Sequence, residues 1–196
     1  MMAQGVVLLL LLLAAPTSLT AAQQDPSVVY MLEGIPVSEN LGCSLAVLED
    51  FDNDGVPEFA VGAKQDFFEP EATGYVQLIS GKTGKVLRTW TGSRSYEHFG
   101  AEIASFPDID SDGKMDIAIS RTTSSISIYS TSTGNLFKSF NIDRGKGSIS
   151  RIFRSIPDVN HDGMPDMIVG QSAQLSDNVF SPGRISIYSL SGNVVW

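Results

Sequence analysis

The sequence predicts an all-β chain built from repeated four-stranded antiparallel meanders, and three observations carry that reading. The stretch DIDSDGKMD at 108–116 recurs as DFDNDGVPE at 50–58 and as DVNHDGMPD at 158–166, and three copies in register indicate a repeat protein. A turn that ends in glycine follows each copy at a similar interval: 34 residues from Asp50 to Gly84, 26 from Asp108 to Gly134 and 34 from Asp158 to Gly192. Between these marks lie short runs rich in β-branched and aromatic residues, and beyond residue 22 no stretch holds a 3.6-residue apolar period over three turns.

The apolar run Val6–Ala15 is too short to span a bilayer comfortably and suits the core of a secretory signal over residues 1–22, with cleavage expected after Ala22; an uncleaved anchor is the alternative, because MMAQG has no basic side chain. Residues 23–40 then read as a polar leader and one isolated outer strand, Val28–Leu32, with no acidic loop before it. The first full unit occupies 41–98: an apolar run at Leu45–Leu48 enters the loop, Phe59–Val61 leaves it, Tyr75–Ile79 is a third strand, SGKTG (80–84) a turn and Lys85–Trp90 a fourth strand. The second unit, 99–148, repeats the order with Glu102–Phe106, Ile117–Ile119, Ser125–Tyr129, the turn STSTG (130–134) and Asn135–Phe140. The third, 149–196, does so with Arg151–Ile156, Met167–Val169, Arg184–Tyr188, the shortened turn SLSG (189–192) and Asn193–Trp196. The variation falls in one connection, before the third strand, as expected if insertions lie on one face of a stack.

Each acidic stretch reads as a calcium loop. Alternate residues of a tight turn can face one centre, and a hard cation takes several oxygen ligands. The expected ligands are Asp50, Asp52, Asp54, the Val56 carbonyl and Glu58; Asp108, Asp110, Asp112, the Lys114 carbonyl and Asp116; and Asp158, Asn160, Asp162, the Met164 carbonyl and Asp166. A glycine at position six (Gly55, Gly113, Gly163) permits the backbone that a Cβ would resist. An EF-hand loop would need a bidentate Glu at position twelve, where this chain has Val61, Ile119 and Val169. A merely solvated Asp-Gly turn would account for one copy but not for three, each crowding like charges. Up to three calcium ions are expected, the third held more weakly because Asn160 removes one charge.

Composition narrows the function. The 196 residues are 42% hydrophobic, enough for a sizeable core, and the net charge of −9 argues against nucleic acid as partner. The loops hold 11 of the 22 acidic residues, so three divalent ions would bring −9 to about −3. The single cysteine, Cys43, allows no intrachain disulfide and is expected to be a small buried hydrophobe. His98 and His161 read as solvated, no hydrolase or phosphate-cradling motif is present, and Arg144-Gly145-Lys146 reads as a charged turn. Phe67 and Phe68, beside Glu69 and Glu71, would mark either a contact surface or packing over a blade edge. Trp90, Tyr75 and Phe68 could stack on sugars.

With loops, strands and turns in place, the chain from about residue 28 to 196 resembles the FG-GAP repeat of integrin α-subunit β-propellers and related bacterial proteins. Phe99-Gly100 stands nine residues before Asp108 and Leu41-Gly42 nine before Asp50, whereas Ile149-Ser150 holds that place in the third unit. Val61-Gly62-Ala63 and Val169-Gly170-Gln171 match the second signature; Ile119-Ser120-Arg121 departs from it. The resemblance implies β-propeller-type blades, each of four antiparallel strands with the metal loop joining the first two. Propellers close with roughly four to eight blades, and three blades plus a leading strand therefore predict a truncated or degenerate repeat protein, self-association, or an open arc. The expected function is an exported, non-enzymatic, calcium-stabilised module for protein or cell-surface binding and adhesion, secreted or surface-exposed (periplasmic in a bacterium), with a protein or glycan ligand and no membrane span in the mature chain. The alternatives are the non-catalytic part of a secreted hydrolase, lyase or dehydrogenase, and a calcium-dependent carbohydrate-binding module.

Overall fold

Alternation along a strand puts every second side chain on one face of a sheet, and in this protein both faces of the central sheet are apolar. The structure, a computed structural model, describes residues 19–20, 31–34, 39–65, 73–95, 97–121, 125–142, 151–172, 174–176 and 179–191. All their regular elements are strands: β1 (Leu19–Thr20), β2 (Met31–Leu32), β3 (Glu39–Val47), β4 (Phe59–Gln65), β5 (Tyr75–Ile79), β6 (Val86–Thr91), β7 (Ile103–Phe106), β8 (Asp116–Arg121), β9 (Ser125–Tyr129), β10 (Leu136–Asn141), β11 (Arg151–Ile156), β12 (Asp166–Gln171), β13 (Gln174–Ser176), β14 (Val179–Ser181) and β15 (Arg184–Ser189). No helix among the described residues is long and apolar enough to cross a membrane.

The strands form three antiparallel blades in simple meander order: β3-β4-β5-β6, β7-β8-β9-β10 and β11-β12-β15. In the third blade the expected fourth strand, 193–196, lies outside the described residues, as do the Phe67–Phe68 insertion, the Arg144-Gly145-Lys146 turn and most of the leader. Of the expected leading strand, Met31–Leu32 is described, and it pairs with Leu19–Thr20. The third-unit insertion contains a small hairpin, β13 with β14.

The first strands of the three blades lie side by side, β3 against β7 and β7 against β11, so the blades stack face to face and the core sits between them. One cluster joins Ala46, Leu48, Ala60, Val76, Leu78 and Trp90 of blade 1 to Phe99, Ile103, Ile117 and Ile119 of the second unit. The other joins Ala104, Phe106, Ala118, Ile126, Ile128 and Phe140 to Phe153, Met167, Val169, Tyr188 and Leu190. Blade 2 is thus covered on both sides, and its β8 begins with four consecutive buried residues, Asp116–Ile119.

Polar contacts cross the same junctions. The serine turns are clamped from the preceding blade: Trp90 Nε1 donates to Gly134 O at 3.2 Å and Arg88 Nη2 to Ser132 O at 2.5 Å, and Lys138 Nζ, the counterpart of Arg88, donates to Leu190 O. At the inner strands the Gly100 backbone lies on Gly62 so closely that a Cβ there would stand 2.2 Å from Gly100 O. Ser44 Oγ donates to the same carbonyl at 2.7 Å.

Two expectations need correction. Cys43 is exposed rather than buried: the register of β3 slips between Leu41 and Ser44, which leaves Gly42 and Cys43 out of the ladder, and the Cys43 Sγ lies 3.4 Å from the Gly62 and Gly100 carbonyl oxygens. Trp90 is buried in the junction between blades 1 and 2, with its indole N–H engaged, and so is closed to a sugar.

Candidate metal centres

Each acidic loop joins the first two strands of its blade, and a single hydrogen-bond scheme recurs in all three. The position-one carboxylate accepts two backbone N–H groups, from positions five and six: Asp50 from Asp54 (3.0 Å) and Gly55 (2.9 Å), Asp108 from Asp112 (3.2 Å) and Gly113 (2.8 Å), Asp158 from Asp162 (3.2 Å) and Gly163 (2.8 Å). The position-five Oδ1 accepts the N–H of position seven in each loop, from Val56, Lys114 and Met164. These bonds curl the chain, with position four in the left-handed region at Asn53 (φ 61°), Ser111 (φ 62°) and His161 (φ 62°), and glycine at position six with φ of 84–90°. A Cβ on these glycines would meet no atom within 4 Å, so the requirement is conformational rather than steric.

The ninth residue closes the loop. One oxygen of its carboxylate accepts the N–H of position two: Glu58 from Phe51, Asp116 from Ile109 at 2.9 Å, Asp166 from Val159 at 2.8 Å. The other oxygen (Glu58 Oε1, Asp116 Oδ1, Asp166 Oδ1) is buried without a hydrogen-bond partner, and so is Asp110 Oδ1. Burying a carboxylate oxygen with nothing to offset it is costly. Burial pushes the Asp116 carboxyl up to about 6, with the charges of Asp110 and Asp112 adding to the rise. Glu58 is raised as well, first by burial and then by Asp52, Asp50 and Asp54.

Carboxylate oxygens of Asp50, Asp52, Asp54 and Glu58 lie within 4.8 Å of one another, as do those of Asp108, Asp110 and Asp116. The donor set is all oxygen and anionic, and three of the four orphaned buried oxygens, those of Glu58, Asp110 and Asp116, come from its residues; the residues fit a hard divalent cation such as calcium. Asp112 stands apart from the second group. Its carboxylate accepts from Lys114 N–H at 2.9 Å and Ser130 Oγ at 3.3 Å; burial alone would raise it, but the hydroxyl of Ser132 and these bonds hold it below the usual carboxylate range. Among the described residues the acids of the third loop form no such group. Asn160 stands where the sister loops have Asp, and its amide donates to Asp162 Oδ2 at 3.0 Å. Ser189 Oγ donates to that oxygen at 2.6 Å and, with Asn160, holds the Asp162 carboxyl low.

Sequence reasoning missed the support around the loops. Ser130 and Ser189 open the serine turns and reach back to position five, and their recurrence at the start of each turn was a usable signal. Glu49, just before the first loop, accepts the Met115 N–H of the second at 2.6 Å, while Lys114 Nζ donates to Asp50 O at 3.2 Å and stands 5.7 Å from the Phe51 ring centre. Loops 1 and 2 are therefore wired together. His98 (φ 50°) and His161 serve as left-handed turn residues.

Residues 42–79, which span the first loop with most of β3, β4 and β5, match the FG-GAP repeat family. No curated protein matches the chain as a relative.

Proposed function

Starting from a chain that carries an FG-GAP repeat and an all-β stack of propeller-type blades, we propose that this protein is an exported, calcium-stabilised binding module for protein partners at a cell surface or in the extracellular space. FG-GAP repeats build β-propellers and serve generally in protein interaction, which supports the reading at the level of the module. The observation that carries the calcium part is the recurring buried, unpartnered oxygen of Glu58, Asp116 and Asp166. The cation would be held by Asp50, Asp52, Asp54 and Glu58 in loop 1 and by Asp108, Asp110 and Asp116 in loop 2, with Asp158 and Asp166 the acids of a weaker third site. When bound it supplies positive charge that offsets the crowded carboxylates. The protein's part is to fix the oxygens: position one ties the turn, position nine anchors it to the second strand. The apolar run at 6–15 favours an exported setting, and in that setting a calcium affinity of roughly 10⁻⁴ to 10⁻³ M is expected. We read the chain as non-catalytic, the metal serving structure and the loops serving contact.

Calorimetric titration and thermal melting test this. At a tenfold excess of calcium over Kd each site adds about 1.4 kcal/mol. For a chain of this size two to three sites raise Tm by about 10 °C, and a chelator reverses the gain. A melt indifferent to calcium and chelator would sink the calcium reading.

A further inference from the structure

We propose that the outer face of blade 3 docks the first blade of a second copy of this chain, head to tail, in the way blade 2 already seats on blade 1. The inference rests on blade packing alone and does not depend on the metal. Within the chain, the seat is a cross-strand row, Ser44–Gly62–Val76. The Phe99-Gly100 corner of the next unit presses its backbone onto Gly62, and in return a Cβ on Gly100 would stand 2.7 Å from Tyr75 O. Ile103, on the first strand after that corner, is 1% exposed.

The same row recurs in blade 3 as Ile152–Gly170–Ile185, and there it is open. The nearest atom to a Cβ on Gly170 is Ile152 O at 3.8 Å. Ile152 is 61% and Ile185 71% exposed, and they flank a shallow depression of about 580 Å³. The complementary half is present at the other end of the stack. Leu41-Gly42 is the counterpart of Phe99-Gly100, with Gly42 at φ 86° against 80° for Gly100 and no atom within 4 Å of its Cβ position. Leu45, the counterpart of Ile103, is 64% exposed, and Val47 beside it 70%.

One chain thus displays, on opposite faces, both halves of an interface that it makes internally between blades 1 and 2. Continuing that interface selects a second copy as occupant. The contact is heterologous, so it can extend beyond two copies.

Sedimentation of the full chain at rising concentration, with calcium in excess, tests the proposal. The wild type is expected to grow in mass past the dimer. Leu45→Asp and Ile185→Asp, both at exposed positions outside the core, are each expected to sediment as folded monomers, folding being checked by melting; Val47→Asp and Ile152→Asp replace either one if it unfolds. An equimolar mixture of a head variant and a tail variant should form pairs and nothing larger, because each supplies one intact half. A wild type that stays monomeric overturns the proposal. So does a wild-type dimer that one variant abolishes and mixing does not restore, which is the behaviour of a two-fold contact.

Discussion

The ninth-position carboxylate shows how one side chain can stabilise or destabilise the same fold. Without metal, Asp116 titrates at about 6 in the folded protein against an ordinary 3.8, burial being the main cause. Between these values the folded state holds more protons than the unfolded one, so this group's contribution to stability falls as pH rises from about 4 to 6 and stays low above. By the size of the shift the penalty at neutral pH is about 3 kcal/mol. Asp116→Asn keeps an acceptor for the Ile109 N–H and removes the charge. In chelator at pH 7 the variant should therefore melt above the wild type, by up to that amount, and its stability should fall less steeply than the wild type's between pH 4 and 6, the raised Glu58 carboxyl still contributing to the slope. With calcium present the order should reverse, because a ligand has been lost. A variant that melts higher in both conditions would argue against any cation at that loop. Positions one, six and nine were legible in the sequence because their spacing recurs three times. The separate allegiance of Asp112 was not, since its partner Ser130 arrives from a turn 18 residues on. Nor was the exposure of Cys43, which follows from a register slip that alternation does not reveal.

At the scale of the element, the pairing of blades depends on two glycines meeting. Gly62→Ala would push a methyl to 2.2 Å from the Gly100 carbonyl, a backbone atom that cannot swing away, and from Ser44 Oγ. Overpacking of this kind costs typically about 1 to 3 kcal/mol. The equivalent substitution in blade 3, Gly170→Ala, meets nothing nearer than 3.8 Å and should change stability by less than about 0.5 kcal/mol. Chemical denaturation of the two variants at dilution checks the contrast; equal effects would mean that the blade junction is not where the cost arises. The meander order and the loop as first hairpin could be read from the sequence, because period-two runs alternate with Gly and Asp turns. The glycine contact could not, because it joins residues 38 apart in different units. Trp90 misled for a related reason: an aromatic at a strand end looks like a sugar platform until the next blade's turn is seen to cap it.

At the scale of the molecule, a stack of repeats has a stability that is roughly the sum of each blade's own and of its junctions with neighbours. Among the described residues blade 2 makes two junctions, while blades 1 and 3 each make one and leave Leu45 and Ile185 in solvent. The central strands of blade 2, β8 and β9, carry Ile117, Ala118, Ile119 and Ile128 with no exposed surface at all. Opening them requires both junctions to part, whereas β15 can be released by parting one. Hydrogen exchange at a dilution that keeps copies apart should therefore find the slowest amides in β8 and β9, exchanging with the free energy of global unfolding, and faster amides in β11 and β15. Chelation should loosen the loop hairpins of every blade, since half of the chain's acids are concentrated there, and should leave the order of the blades unchanged. Protection in β15 equal to that in β8 would mean that the outer face of blade 3 is already covered in the monomer, and would count against an open stack.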